Sequence, residues 1–344
     1  MDTTTDTKQA TDDSEATPRY DVVVVGGGAA GLSATLAMAR ARRSVLVIDA
    51  GDPRNAPAGH VHNYLGREGT PPLELLAIGR AEVEAYGAEV VTDRVTVVER
   101  LADGTGFRIG RRDGPPVEAR RLLVTTGLTD VLPDIPGLAD HWGTDVLHCP
   151  YCHGWEVRDQ PVVVLATNAM AAHQALMWSQ WTDDLTVVLH GVDAPAGDVA
   201  EQLEAVGVLV IEGPVASVEE DGGRLSGLVL ANGRIVPCTA VVVAARVEAR
   251  AELLDQLGLR VVDLVMAGVT MGTHVEAELT GATSVPGVFV AGNVTSPTDT
   301  VIAAAASGLR TAAGLSFDLT LEDANAAAVA AARTHHTALS PAVA

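Results

Sequence analysis

Apolar β-branched runs alternate with alanine-rich stretches along most of the chain, and the alternation predicts its elements. Residues 20–25 (YDVVVV) form an unbroken apolar run that predicts a strand buried on both faces. Residues 29–42 follow as a helix and residues 44–49 (SVLVID) as a second strand, which together make a βαβ unit. A helix is predicted over residues 72–86, then short strands between residues 89 and 126 separated by Gly and Asp clusters. The pattern restarts at residues 161–166 (PVVVLA), with a helix over 169–181, a strand over 185–190 and a later strand over 240–244. After a poorly patterned stretch come residues 287–293 (GVFVAGN), a strand ending in a tight turn, and an alanine-rich helix over 299–313 with Thr298 or Asp299 as its cap. Two βαβ starts in one chain predict an α/β fold of two doubly wound, Rossmann-like, three-layer domains. The polar, acidic residues 1–18 are expected to be disordered, and residues 318–344 to form a low-complexity tail, partly helical at most.

Composition removes several classes of function. The chain has 344 residues, with 23 Lys+Arg against 44 Asp+Glu, for a formal charge of −21. No basic face is available for a phosphate backbone, so nucleic acid is not an expected partner. The same charge disfavours anionic membranes, and no run is apolar for the ~20 residues a span needs. Residues 1–18 lack the basic and apolar regions of a secretory signal. Three cysteines cannot build a disulfide framework, and two of them are spaced C-x-x-C. A cytoplasmic protein with a working dithiol is the expectation.

Gly26, Gly28 and Gly31 in VVVVGGGAAGLSA form G-x-G-x-x-G at a strand-to-helix turn, with Ala29 and Ala30 opening the helix. The first glycine permits the turn, the second admits a pyrophosphate, and the third lets helix pack on strand. Asp49 ends the next strand, where its carboxylate can accept hydrogen bonds from ribose hydroxyls. A glycine turn with no ligand would look the same at its glycines, but strand, helix, second strand and terminal acid all fall in register. The motif does not by itself separate FAD from NAD.

The segment His148-Cys149-Pro150-Tyr151-Cys152-His153-Gly154-Trp155-Glu156 carries the second chemistry. Two sulfurs at this spacing can close a small disulfide ring, and the reactive species is the thiolate. A thiol near pKa ~8.5 is mostly protonated at neutral pH, so an imidazole near ~6.5 is suited to take and return its proton. A structural pair remains an alternative, whereas zinc would need all four Cys and His ligands from six consecutive residues. Cys238 stands alone beside a strand and reads as packing.

The segment Ala291-Gly292-Asn293 resembles the second flavin-binding turn of two-dinucleotide-domain flavoproteins, with Asn293 in place of the family aspartate. Thr125-Thr126-Gly127 resembles their A-T-G turn. Residues 32–148 hold no cysteine, and the C-P-Y-C pair precedes the second βαβ unit. Over residues 19–316 the chain therefore resembles low-molecular-weight thioredoxin reductases, in the superfamily of FAD-dependent pyridine-nucleotide-disulfide oxidoreductases. This resemblance implies FAD and a homodimer. It also implies a discontinuous FAD domain over 19–146 and 262–317, with an inserted NAD(P)-type domain over 147–261 that carries the dithiol. It implies Cys152 facing the flavin, Cys149 exchanging with substrate, and Asn55, Asn63 and Val301 near the flavin. Thioredoxin reductases place an acid directly after the pair. His153 stands there instead, with His148 before the first cysteine, as in the dithiol oxidases of gliotoxin- and holomycin-type biosynthesis.

The second fingerprint is altered. Ala166 and Asn168 stand where the first two glycines of G-x-G-x-x-A belong, and His190-Gly191-Val192-Asp193 replaces the arginines that hold the 2′-phosphate of NADPH. The sequence therefore argues against NAD(P)H. Together these features imply a dithiol oxidase that closes a disulfide in a small metabolite, with dioxygen as acceptor and hydrogen peroxide as product. The catalytic residues would be Cys149, Cys152 and His153, with His148 as a second candidate base. An NAD(P)H-dependent thioredoxin reductase and a non-catalytic flavin redox sensor are the alternatives.

Overall fold

A computed structural model describes residues 17–338, so most of the acidic head lies outside the described residues. β1 (Arg19–Val25), α1 (Ala29–Arg40) and β2 (Val45–Asp49) form the first βαβ unit. α2 (Pro72–Ala85) leads to β3 (Glu89–Thr92), β4 (Val95–Arg100), β5 (Phe107–Arg111) and β6 (Val117–Val124). These strands lie in a 7-stranded sheet of order β3-β2-β1-β6-β5-β4, completed by a late strand beside β6. Val22 stands opposite Val45 on one side and Arg121 on the other, both in parallel register. The valine run of β1 splits between two cores. Val23 and Val25 join Leu46 and Ile48 on one face, while Val22 and Val24 join Val45 and Val47 on the other. A strand covered on both faces has no polar side to show, which explains its unbroken apolar run.

β7 (Leu128–Val131), β8 (Val146–Leu147) and the one-turn α3 (Pro150–His153) lead into the second unit. There β9 (Val162–Ala166), α4 (Met170–Trp178), β10 (Leu185–Leu189), α5 (Asp198–Ala205) and β11 (Leu209–Glu212) repeat the winding. β12 (Val215–Asp221), β13 (Arg224–Leu230) and β14 (Ile235–Pro237) make an antiparallel sheet, and β15 (Ala240–Val243) returns to the parallel one, of order β11-β10-β9-β15-β8. β16 (Arg246–Ala249), α6 (Glu252–Asp255), β17 (Val261–Met266), β18 (Val269–Val275), β19 (Val288–Val290) and α7 (Val301–Ala338) complete the described chain.

Two segments differ from expectation. Residues 246–261, expected with the inserted unit, pair and pack with the first: β16 runs antiparallel to β7, and Ala251, Leu254 and Leu259 share a core with Val23 and Val25. β17 is mostly exposed, so its sequence carries little alternation to read. The last helix does not stop near residue 313. It continues to Ala338, with Leu315 and Leu319 fully buried against the α1 side of the sheet. Acids that read as a solvated tail are tied down by arginines: Arg120 pairs with Asp21, Glu322 and Asp323, Arg121 with Asp318 and Glu322, and Arg43 with Asp323. α7 lies directly on α1 because Gly308 has no side chain; a Cβ there would sit 2.0 Å from the Ala30 carbonyl oxygen. That contact brings the start of α7 beside the start of α1. Among the described residues no helix is long and apolar enough to cross a membrane.

Leu319→Ala removes a buried side chain and is expected to cost about 2–5 kcal/mol in denaturant unfolding. Phe317→Ala, two residues earlier at an exposed position, is expected to change stability by less than about 0.5 kcal/mol. Equal effects would show that the helix beyond residue 313 does not dock.

Candidate active site

One cavity of about 880 Å³ joins the two motifs. Its size lies in the upper part of the ~300–1,000 Å³ range of small-molecule sites. Its wall contains Gly26, Gly28, Ala29, Ala30, Asp49, Asn55, Thr126, Gly127, Gly292, Asn293 and Val301 together with His148, Cys149, Cys152 and His153. Two residues singled out in the sequence lie behind the wall. Gly31 is a packing position, where a Cβ would be 2.0 Å from the Gly26 carbonyl oxygen. Asn63 donates from Nδ2 to the Tyr151 carbonyl at 2.6 Å, so it holds the dithiol turn instead of facing the cavity.

The β1–α1 turn is shaped as a cradle. Gly26 has φ +105°, outside the range of ordinary side chains, and its carbonyl accepts a hydrogen bond from Thr125 Oγ1 at 2.8 Å. A Cβ at Gly28 would meet nothing within 4 Å, so that glycine leaves open space in front of the helix N-terminus. No side chain caps α1, and the positive end of the helix faces the cavity. Asp49 accepts the Gly27 N–H at 3.0 Å and pairs with Arg80, a partner with no sequence signature.

Asn293 is held differently from an aspartate. Its Nδ2 donates to the carbonyls of Ser296 at 3.0 Å, Pro297 at 3.4 Å and Asp299 at 3.0 Å, closing the loop before α7. Thr298, Asp299 and Thr300 in that loop line the cavity, and burial raises the Asp299 carboxyl above its ordinary value. An aspartate would set a negative charge against three carbonyl oxygens.

The dithiol stands at the start of α3, with Cys149 as the residue before the first helical turn. Both cysteines are free thiols and half-buried. The Cys152 thiol donates to Cys149, and the N–H groups of Cys152 and Tyr151 and the charge of Arg54 act in the same direction, against burial. The Cys149 thiol is thereby lowered to about 7. Cys152 keeps the shared proton and is pushed upward, by that hydrogen bond first and then by burial. Cys238 lies apart, buried and pushed up to about 12 by burial.

Both flanking histidines favour the neutral form. Burial lowers His148, reinforced by Arg54, and its Nδ1 lies 3.2 Å from the Val243 carbonyl. With that nitrogen as donor, Nε2 is the basic atom. Burial also lowers His153, against the opposing charge of Glu156. His60 and His62 line the cavity too, and His62 Nδ1 pairs with Glu68 at 2.6 Å. Arg54 is the functional candidate the sequence did not reveal. It is held by Asp130 through Nε at 2.7 Å and Nη2 at 2.6 Å, and both residues line the cavity.

Residues 20–308 match the family of pyridine nucleotide-disulphide oxidoreductases, and the chain belongs to that family. Thioredoxin reductase tcpT of Claviceps purpurea is 30% identical over 282 residues, spanning 79% of this chain and 86% of that protein. Thioredoxin reductase sirT of Leptosphaeria maculans is 28% identical, over 87% of this chain and 94% of its own length. Among solved structures, HlmI superposes with a TM-score of 0.84 at 43% identity, covering 92% of this chain and 97% of that one. An oxidoreductase from Agrobacterium tumefaciens gives 0.81 at 32% identity, over 88% and 99%. The protein is a thioredoxin-reductase-like flavoprotein disulfide oxidoreductase with FAD as its cofactor. The open cradle at Gly28 and the uncapped α1 N-terminus fit that group, with the α1 turn suited to its pyrophosphate and Asp49 to a ribose.

Removing the Cys152 donor by Cys152→Ala is expected to raise the apparent pKa of Cys149 alkylation from about 7 toward the ordinary ~8.5. An unshifted pH profile of iodoacetamide labelling would show that the proton is not shared. Asn293→Asp, although it installs the family residue, is expected to lower the melting temperature of the apoprotein by several degrees and to weaken flavin retention. A variant that keeps FAD and stability through gel filtration would refute the locking role of the amide.

Proposed function

We propose that the protein is an FAD-dependent dithiol oxidase acting on a small dithiol metabolite, with dioxygen as acceptor. The observation that carries this reading is the state of the second nucleotide turn. Asn168 Oδ1 accepts the Met170 N–H at 2.9 Å while its Nδ2 donates to the Ala244 carbonyl at 3.2 Å. The side chain thus occupies the helix N-terminus where a pyrophosphate of NAD(P)H would bind. After the next strand, His190 Nδ1 accepts the Val215 N–H at 3.0 Å, a structural role where a 2′-phosphate site needs cations.

The chain's own residues support thiol–disulfide exchange with a dithiol. A substrate thiolate attacks the Cys149 sulfur of the oxidised pair, breaking the Cys149/Cys152 bond and leaving its electron pair on Cys152, which takes up a proton. The second substrate thiol, losing its proton to a neutral histidine, attacks the substrate sulfur held on Cys149. The substrate disulfide closes, and Cys149 leaves as a thiolate, an exit favoured by its lowered pKa. His153 and His148, both neutral at pH 7, are the candidate proton acceptors. Bound FAD would supply the acceptor for the electron pair of the resulting dithiol, with dioxygen as the final acceptor and hydrogen peroxide as the product.

The names of the relatives favour a second reading, an NAD(P)H-dependent thioredoxin reductase. Anaerobic titration with the visible flavin spectrum as readout separates the two. Dithiothreitol is expected to bleach the flavin and NADPH to leave it oxidised, with peroxide formed from the dithiol in air and lost in Cys149→Ser. Efficient bleaching by NADPH would overturn the oxidase reading, and a bound flavin that no thiol reduces would favour a redox sensor.

A further inference from the structure

The two candidate bases differ in what fixes their rings. Among the described residues no hydrogen bond holds the imidazole of His153, whereas His148 Nδ1 lies 3.2 Å from the Val243 carbonyl. A carbonyl only accepts, so it selects the neutral ring protonated at Nδ1 and leaves Nε2 as the acceptor. Val243 ends β15, and its neighbour Val242 stands opposite Leu147 of β8 in parallel register. Strand pairing thus brings His148, the first residue after β8, alongside the end of β15. The pairing reaches no further, because Ala244 and Ala245 belong to no strand before β16 begins.

Asn168 supplies the tie that strand pairing lacks. Its Nδ2 donates to the Ala244 carbonyl at 3.2 Å while its Oδ1 accepts the Met170 N–H at 2.9 Å, so the link after Val243 is moored to the start of α4. The same helix holds the backbone of His148, where Gln174 Nε2 donates to the His148 carbonyl at 3.0 Å. Backbone and ring of His148 are therefore both referred to α4, the backbone directly and the ring through Asn168, Ala244 and Val243. A glycine at residue 168, as a nucleotide-binding turn requires, has no side chain to make this tie. The charged and titratable groups around the His148 ring are Arg54, Asp130, Cys149 and His153, with Arg54 and Asp130 acting on it in opposite senses. None of the four hydrogen-bonds the ring, so its tautomer is set by the Val243 carbonyl.

We propose that Asn168 is a positioning residue for His148: by mooring Ala244 to α4 it aims the Val243 carbonyl, which holds the imidazole with Nε2 free to take the proton of the second substrate thiol. In that step the S–H bond breaks, its electron pair stays on sulfur as the attacking thiolate, and the proton forms an N–H bond at Nε2. The assignment rests on the dithiol-oxidase reading and chooses between its two candidate bases. One side chain then does two things, filling the second nucleotide turn and orienting the base.

The test uses Asn168→Ser, which keeps a neutral acceptor for the Met170 N–H but is too short to reach Ala244. In the FAD-loaded enzyme the anaerobic rate of flavin reduction by dithiothreitol is expected to fall about tenfold in Asn168→Ser and about a hundredfold in His148→Ala. The double variant is expected to be no slower than His148→Ala alone, since Asn168 acts through the ring that is gone. Losses that multiply in the double variant overturn the proposal, as does a wild-type rate in either single variant. A second readout needs neither turnover nor flavin. Nitrogen NMR of the imidazoles in the flavin-free protein, with His148 assigned by its loss in His148→Ala, is expected to show the Nδ1–H tautomer in the wild type and a mixture in Asn168→Ser. A wild-type ring protonated at Nε2, or a tautomer unmoved in Asn168→Ser, breaks the link between the two residues. If dithiothreitol fails to reduce the wild-type flavin, the oxidase reading falls and takes the base with it. If it succeeds while the losses multiply, the positioning role alone is wrong.

Discussion

A helix only one turn long holds the dithiol, and much of the surrounding structure serves to hold that turn. Cys149 precedes Pro150–His153, so the N–H groups of Tyr151 and Cys152 point at its sulfur and favour the thiolate. An isolated turn of this length has no stability of its own. It is fixed from three directions: Trp181 lies beneath Gly154, Asn63 of the first unit bonds the Tyr151 carbonyl, and Gln174 of α4 donates to the His148 carbonyl at 3.0 Å. Both units thus contribute to placing one sulfur, and the cavity exists where they meet it.

The two nucleotide-type turns show how little sequence separates a binding site from a scaffold. Each follows an apolar parallel strand and opens a helix against the same sheet geometry. At the first, Gly28 leaves free space before an uncapped helix. At the second, Asn168 fills that position and satisfies the Met170 N–H itself. A helix N-terminus must find acceptors, and whether they come from a ligand or from the chain is decided by a single side chain.

Periodicity made the strands of both parallel sheets legible because they are buried on both faces, as the split of β1 between two cores illustrates. It failed where burial is one-sided or weak. β17 is largely exposed and α5 keeps a single buried residue, Leu203, so neither stands out from its surroundings. The extension of α7 was hidden because its anchors are acids whose arginine partners lie far away in sequence. At the site, glycines and cysteines are readable since their spacing is their function. Arg54 and Asn63 are not, because their significance lies in what they touch: Asp130 in one case and a backbone carbonyl in the other.

Arg54 also explains why the residue after the dithiol can be a histidine. Its guanidinium lowers Cys149 and, second only to burial, lowers His148, so one fixed charge favours both the thiolate and the neutral imidazole. Asp130, which holds Arg54, acts on His148 in the opposite sense but as the smallest contribution, so the pair presents its positive end to the site. A carboxylate directly after Cys152, as in thioredoxin reductases, would add a like charge beside the Cys149 thiolate and raise it. His153, kept neutral by burial, adds none. In the proposed exchange with an incoming dithiol, a histidine at this place would keep Cys149 easily displaced and offer a neutral imidazole as proton acceptor.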